Sequence, residues 1–283
     1  MPAYAKSDVV TRPRRLRKGQ TVAIVAPASV TYESLQLQLA LEALEAMGLN
    51  AKVGDHVMDR FGYLAGQDSD RAADINEAFL DPDVDAIFAL RGGWGASRLL
   101  PFIDFDGIRE NPKILLGYSD ITSLLNAIYA RAGVVAFHGP NLMSRWNQFT
   151  YDSMREVLFD AKPARYMNPT EPDDDLVARK HRIQTIVPGR AEGHLIGGNL
   201  TLMSALVGTP YLPKFDNAIL FLEDVGEAIY RVDRMLTQLK LSGHLQRVAT
   251  SQMAPRSKKK PLWIVEKERQ RSAGNAETVW VFG

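Results

Sequence analysis

Through the first half of the chain, short apolar runs alternate with longer stretches in which apolar side chains recur every three or four positions. Residues 21–26, 51–53, 85–90 and 114–116 read as buried strands. The stretches between them read as helices. Leu37, Ala40, Leu41, Leu44 and Met47 share one face over 32–47. Ala72, Ile75, Ala78 and Phe79 do so over 68–80, and Ile121, Leu124, Leu125 and Ile128 do so up to Gly133. Strands alternating with helices predict a mostly parallel sheet covered on both faces. Ligands of such sheets sit beyond the carboxyl ends of the strands. Three segments fall there: the loop Arg91-Gly92-Gly93-Trp94-Gly95, the turn Gly117-Tyr118-Ser119-Asp120, and His138-Gly139-Pro140 after a run over 134–137.

The pattern changes after Asn141. Residues 160–190 hold Pro163, Pro169, Pro172, Pro188 and the run Asp173-Asp174-Asp175, the composition of a linker or crossover. Gly197-Gly198-Asn199-Leu200 is expected to open a helical stretch to Val207. Residues 218–222 then form a strand ending at Glu223-Asp224, and 227–240 an amphipathic helix with Ile229, Val232, Met235, Leu236 and Leu239 inward. The expected organisation is a loose leader over 1–19, an N-terminal α/β domain over 20–145, a linker or crossover over 146–189, and a C-terminal domain over 190–283. The last part, 249–283, is atypical: basic, weakly patterned, with strand candidates only at 261–265 and 278–282.

Composition narrows the class. A chain of 283 residues has room for one large or two ordinary domains, and its 46% hydrophobic and 24% charged residues are ordinary for a soluble globular protein. No apolar run reaches the ~18 residues of a membrane span. The arginines at 12, 14, 15 and 17 are not followed by a signal-peptide core. The absence of cysteine excludes disulfides, cysteine nucleophiles and thiolate metal sites, and a cytoplasmic location is the simplest expectation. A net charge of +1 gives no general attraction to nucleic acid or to a membrane surface. Residues 245–283 carry a net +5, and Arg256-Ser257-Lys258-Lys259-Lys260 reads as a solvated tail or an anion patch.

Ser119 is the first candidate for chemistry. A serine on a tight strand-to-helix turn projects its hydroxyl above the sheet, beside the unpaired N–H groups of the first helical turn. It can equally be a helix cap, and the glycine usual two residues after such a nucleophile is Ile121 here. The Gly92-Gly93 loop offers unobstructed backbone donors to an oxyanion, or is simply a turn that needs positive φ. Glu223, at a strand end, can hold the tautomer of an imidazole or serve as an ordinary cap or ion-pair carboxylate, with Asp224 and Glu227 as neighbouring competitors. Of the histidines at 56, 138, 181, 194 and 244, only His138 falls at a strand end of the N-terminal pattern. No histidine–carboxylate spacing marks a metal site.

Further motifs lie around these residues. They are Val25-Ala26-Pro27-Ala28-Ser29, Tyr63-Leu64-Ala65-Gly66 with Asp68 and Arg71, and the Gly92-Gly93 loop with Arg98-Leu99-Leu100. They continue with Gly117-Tyr118-Ser119-Asp120, His138-Gly139-Pro140, Gly197-Gly198-Asn199-Leu200, Gly208-Thr209, and Leu220-Phe221-Leu222-Glu223-Asp224 with Tyr230-Arg231 and Asp233-Arg234. In this order the chain resembles the LD-carboxypeptidases, serine peptidases of the muramoyltetrapeptide carboxypeptidase type that are related to microcin C immunity peptidases. The resemblance implies an α/β N-terminal domain with a mostly parallel sheet and flanking helices, a smaller β-rich C-terminal domain, a homodimer, and no metal or cofactor. It implies release of terminal D-alanine from peptidoglycan tetrapeptides during murein recycling. Ser119 would be the nucleophile and Glu223 the triad carboxylate, with oxyanion donors from Gly92, Gly93 and Asp120. His138 would be a wall of the site.

The resemblance also implies a histidine late in the C-terminal domain, in a Gly-His pair followed by a Leu-Pro-x-Gly stretch. Residues 249–283 contain neither, and no histidine follows His244. An abrupt loss of pattern of this kind follows from a shifted reading frame or from divergence to a muropeptide-binding homologue without turnover. His138 as a substitute base, and an immunity-type peptidase acting on an aminoacyl-nucleotide antibiotic, are the other expectations.

Overall fold

The computed structural model describes residues 10–163 and 190–249, with the backbone of 263–264 and 280–281. His181, the run Asp173-Asp174-Asp175 and the Arg256–Lys260 cluster lie outside the described residues. The first part runs β1 (Thr21–Val25), α1 (Ser34–Ala46), β2 (Asn50–Val53), α2 (Asp68–Leu80) and β3 (Ala86–Ala89). A 3-10 helix (Ala96–Phe102), α3 (Phe105–Glu110), β4 (Ile114–Gly117), α4 (Thr122–Ala132), β5 (Phe137–His138) and α5 (Gln148–Leu158) follow. The second part holds β6 (His194–Asn199), α6 (Leu200–Ala205), β7 (Ala218–Glu223), α7 (Ile229–Leu241), β8 (Trp263–Ile264) and β9 (Trp280–Val281).

The larger sheet has the order β2-β1-β3-β4-β5-β9, with β9 antiparallel on β5 and every other pair parallel. Alternation along the strands divides the core into two layers. Val22, Ile24, Phe88 and Leu116 face Ala40 and Leu44 of α1 and Met154 and Leu158 of α5. Ala23, Val25, Ile87 and Leu115 face Ile75 and Phe79 of α2 and Leu124 and Ile128 of α4. The stretch expected as linker or crossover therefore opens with α5, a helix that contributes to the core. The expected loose leader is tied down at Leu16, which is buried and donates its N–H to the Leu158 carbonyl at 2.7 Å.

The second sheet is parallel, in the order β6-β7-β8. Gly197 and Gly198 lie within strand β6, and the helix expected to open here begins directly after them, as α6 with Asn199 as its cap. Their φ values of 143° and 126° are ones that side-chain-bearing residues avoid. A Cβ on Gly197 would overlap the Phe221 carbonyl, and one on Gly198 would lie 2.7 Å from the Thr122 side chain. These glycines let β6 close on β7 and on α4. Val232, Met235, Leu236 and Leu239 of α7 pack inward as expected, but Ile229 does not: it is 88% exposed. The helix begins at Ile229, and its packed face begins a turn later at Val232.

Candidate active site

The chain reaches Ser119 along the buried strand β4 and through Tyr118, which is still extended at φ −146°. Ser119 then takes φ +63°, the left-handed region. A side-chain-bearing residue there stores about 1–3 kcal/mol of strain. Neither the 3-10 turn Ser119–Ile121 nor α4 has a side-chain cap, so Ser119 does not serve as the helix cap that the sequence also allowed. Its Oγ makes no hydrogen bond among the described residues. The turn is braced from β5's far end, where Asn141 Oδ1 accepts the Tyr118 N–H at 3.2 Å.

The Arg91–Gly95 loop comes up beside it from β3. A Cβ on Gly92 would lie 3.1 Å from Ser119 Cβ and 3.4 Å from its Oγ. Gly93, at φ +126°, leaves no room for a Cβ above Ser29 Oγ, which accepts the Trp94 N–H at 3.1 Å. Among the described residues, the Gly92 and Gly93 amides donate to no partner. Asp120, only 3% exposed, directs its carboxylate away from the pocket to accept the Ala96 N–H at 2.7 Å. Burial pushes this carboxyl up to about 6, against the opposing pull of the Ala96 N–H and of Arg71. The Arg71 guanidinium is also buried. It donates to the Pro27 and Gly95 carbonyls and pairs with Asp68, which Arg98 holds from outside. Burial lowers the Arg71 pKa, and the Arg98 hydrogen bond holds the Asp68 carboxyl below its ordinary value. The glycine loop is thus fastened at its end to the helical turn that carries Ser119.

Together Arg91, Gly92, Gly93, Tyr118, Ser119, Asn141, Met143 and Ser144 line a pocket of about 240 Å³. Sequence reasoning did not assign Asn141 or Arg91 to the site. A polar residue directly after His138-Gly139-Pro140, and a cation at the head of a glycine loop, were the available signals.

Glu223 ends β7, half-buried and in register with Asn199. The Asn199 N–H donates to Thr122 Oγ1 at 3.1 Å, one helical turn past Ser119, which brings the end of β7 to the same rim. Its two competitors have other work. Asp224 accepts from Asn199 Nδ2, Thr201 and Val225, and Glu227 pairs with Arg231 at 3.6 Å. His138 is buried in register with Gly117, its ring 6.2 Å from that of Tyr118 and 5.2 Å from that of Phe221. Neither His138 nor any other described histidine is among the residues that line the pocket. His194 starts β6 against Tyr129, and His244 lies on Phe215. His56 follows β2 and pairs with Asp59 at 2.8 Å. With Asp70 they form a cluster that could hold a cation, a proximity that the sequence spacing did not reveal.

The fold and the pocket define an α/β protein in which a strained serine at a strand end faces a glycine loop, the arrangement of a serine hydrolase. Residues 22–139 match the LD-carboxypeptidase N-terminal domain and residues 192–272 the LD-carboxypeptidase C-terminal domain. The second match runs on well past Arg234, the last residue of the motifs quoted above. The chain is 41% identical over 239 residues to the "Probable murein peptide carboxypeptidase" of Bacillus subtilis (strain 168), covering 83% of this chain and 71% of that one. It is 31% identical over 245 residues to the microcin C7 self-immunity protein MccF of Escherichia coli, covering 79% and 71%. The crystal structure of a muramoyltetrapeptide carboxypeptidase from Oxalobacter formigenes superposes with a TM-score of 0.72 at 31% identity, covering 89% and 79%. The chain belongs to the LD-carboxypeptidase family, and is a serine carboxypeptidase by that membership.

Proposed function

We propose that this protein releases the terminal D-alanine from peptidoglycan tetrapeptides by serine catalysis. The observation that carries the reading is Ser119, held at φ +63° beside the Gly92-Gly93 loop with its hydroxyl unengaged among the described residues. Ser119 Oγ attacks the carbonyl of the diamino acid, and its proton passes to a general base and on to the departing amine of D-alanine. The Gly92, Gly93 and Asp120 amides receive the oxyanion, and Glu223 is the carboxylate that orients the base. Water then cleaves the ester of the acyl-enzyme, releasing the shortened peptide as its acid and restoring the Ser119 hydroxyl. His138 closes one side of the site. The cysteine-free composition suits work in the reducing cytoplasm on recycled peptides. Exposed Val225, Ile229 and Tyr230 at the start of α7 support pairing of two copies, and sedimentation at the monomer mass would refute that pairing.

The test is incubation with a tetrapeptide ending in D-alanine, with free D-alanine read by mass spectrometry. Ser119→Ala is expected to lower release by about 10⁴-fold or more while leaving peptide binding in place. No release by the unaltered chain, where a family member used as control does release, defeats the reading.

One observation favours a second reading. Residues 249–272, the last part of the span matched to the C-terminal domain, hold no histidine, and a serine without its base stays protonated and is a poor nucleophile. A muropeptide-binding protein without turnover would give calorimetric binding of the same tetrapeptide and no D-alanine. The similarity to MccF leaves an immunity-type peptidase as a third and lower-ranked reading, which cleavage of an aminoacyl-nucleotide in the same assay would raise.

A further inference from the structure

A carboxypeptidase has to distinguish a chain end from a chain interior, so its site needs a group that recognises a free carboxylate one residue beyond the bond to be cut. Bond lengths set where that group stands. From the scissile carbonyl carbon, through N and Cα, to the terminal carboxylate carbon is no more than about 4 Å. The attacking oxygen approaches that carbonyl to about 3–3.5 Å. The recognising group therefore sits within one side chain's reach of Ser119 Oγ.

Arg91 meets this condition. It adjoins Gly92, whose Cβ position lies 3.4 Å from Ser119 Oγ, and it is the one charged residue among those described that line the pocket. Its guanidinium is also held in place. Nη1 donates to the Val30 carbonyl at 3.0 Å and Nε to the Gly92 carbonyl at 3.3 Å. A guanidinium carries five N–H donors. The remaining three have no partner among the described residues. An arginine braced on two backbone carbonyls, with the rest of its planar fork unengaged in a pocket, is preorganised for a carboxylate. The neutral polar groups around it, Asn141 and Ser144, add no competing anion.

Resting on the peptidase reading above, we infer that Arg91 is the subsite for the substrate's terminal carboxylate, and so the residue that restricts this protein to chain ends. It acts by binding and takes no part in proton transfer. A charge-assisted hydrogen-bonded pair of this kind contributes on the order of 10- to 100-fold in affinity.

The experiment is calorimetry on the full chain carrying Ser119→Ala, which removes turnover. The probes are a tetrapeptide ending in a diamino acid and D-alanine, and the same peptide with its terminal carboxylate converted to a carboxamide. With Arg91 present, the acid is expected to bind about 10- to 100-fold more tightly than the amide. Arg91→Gln should bring the two within a few-fold of each other, and Arg91→Lys, which keeps the charge without the fork, should fall between. Equal binding of acid and amide with Arg91 intact overturns the inference while leaving the peptide-binding reading standing, and this comparison does not depend on a variant folding. A preference that persists in Arg91→Gln also overturns it. Failure of both peptides to bind overturns the inference and the muropeptide reading together.

Discussion

Ser119 adopts a backbone conformation that glycine would fill without strain, at φ +63°. The strain of a serine there, about 1–3 kcal/mol, exceeds the roughly 0.5–1 kcal/mol by which glycine's greater unfolded-state freedom ordinarily favours alanine over it. The usual order of stabilities should therefore invert at this position. Ser119→Gly is expected to melt about 2–4 °C above Ser119→Ala in thermal denaturation, the shift that ~1 kcal/mol produces in a chain of this size. A Ser119→Ala protein that melts at the same temperature or higher would show that the turn carries no such strain. Turn chemistry is local, which is why Ser119 and the Gly92-Gly93 loop were legible in the sequence. Asp120 was legible only through its backbone. Its carboxylate could not be placed on Ala96, nor Arg71 on the Pro27 and Gly95 carbonyls, because those partners lie 24 to 44 residues away and meet only when the loops fold together.

Among the elements, the strands with continuous apolar runs were the clearest. β1, β3 and β4 are buried on both faces, and such strands announce themselves by composition alone. Gly197-Gly198-Asn199-Leu200 marks the opening of α6, but not the strand β6 that runs through the two glycines. In the structure the two glycines also permit a close approach, with β7's backbone on one side and Thr122 on the other. Nothing within residues 194–199 reports that neighbour. The exposure of Ile229 has a related cause. Periodicity gives the face of a helix, but not the turn at which a partner begins to cover it. α5 went unassigned because its strongly one-sided apolar face lies in a stretch dominated by the composition that follows it; Met154 and Leu158 on that face are buried.

At the scale of the whole molecule, two buried carboxylates shape the pH dependence of stability. Asp120 and Asp74 are both pushed up to about 6, in each case chiefly by burial. A raised carboxyl pKa means that the folded state binds the proton more tightly than the unfolded chain, whose value is near 3.8. The resulting penalty is full above pH 6, and is relieved as pH falls from about 6 towards 4. Against Asp120→Asn, which keeps an oxygen to accept from Ala96 but cannot titrate, the unaltered protein should gain stability over that interval. The gain is on the order of 2–3 kcal/mol. Urea denaturation of both proteins at a series of pH values measures it, and a difference that stays flat with pH would contradict the assignment. The two sheets also share a fastening. α4 begins just past Ser119, accepts the Asn199 N–H on Thr122 and donates from Asn126 to the Gly197 carbonyl at 2.9 Å. This bears on recombination between relatives. A crossover in the stretch before residue 190 parts Thr122 and Asn126 from the strand they engage. Hybrids that take a new C-terminal sheet should inherit the α4 that was shaped for it, or the carboxylate at the end of β7 will arrive out of alignment with the serine.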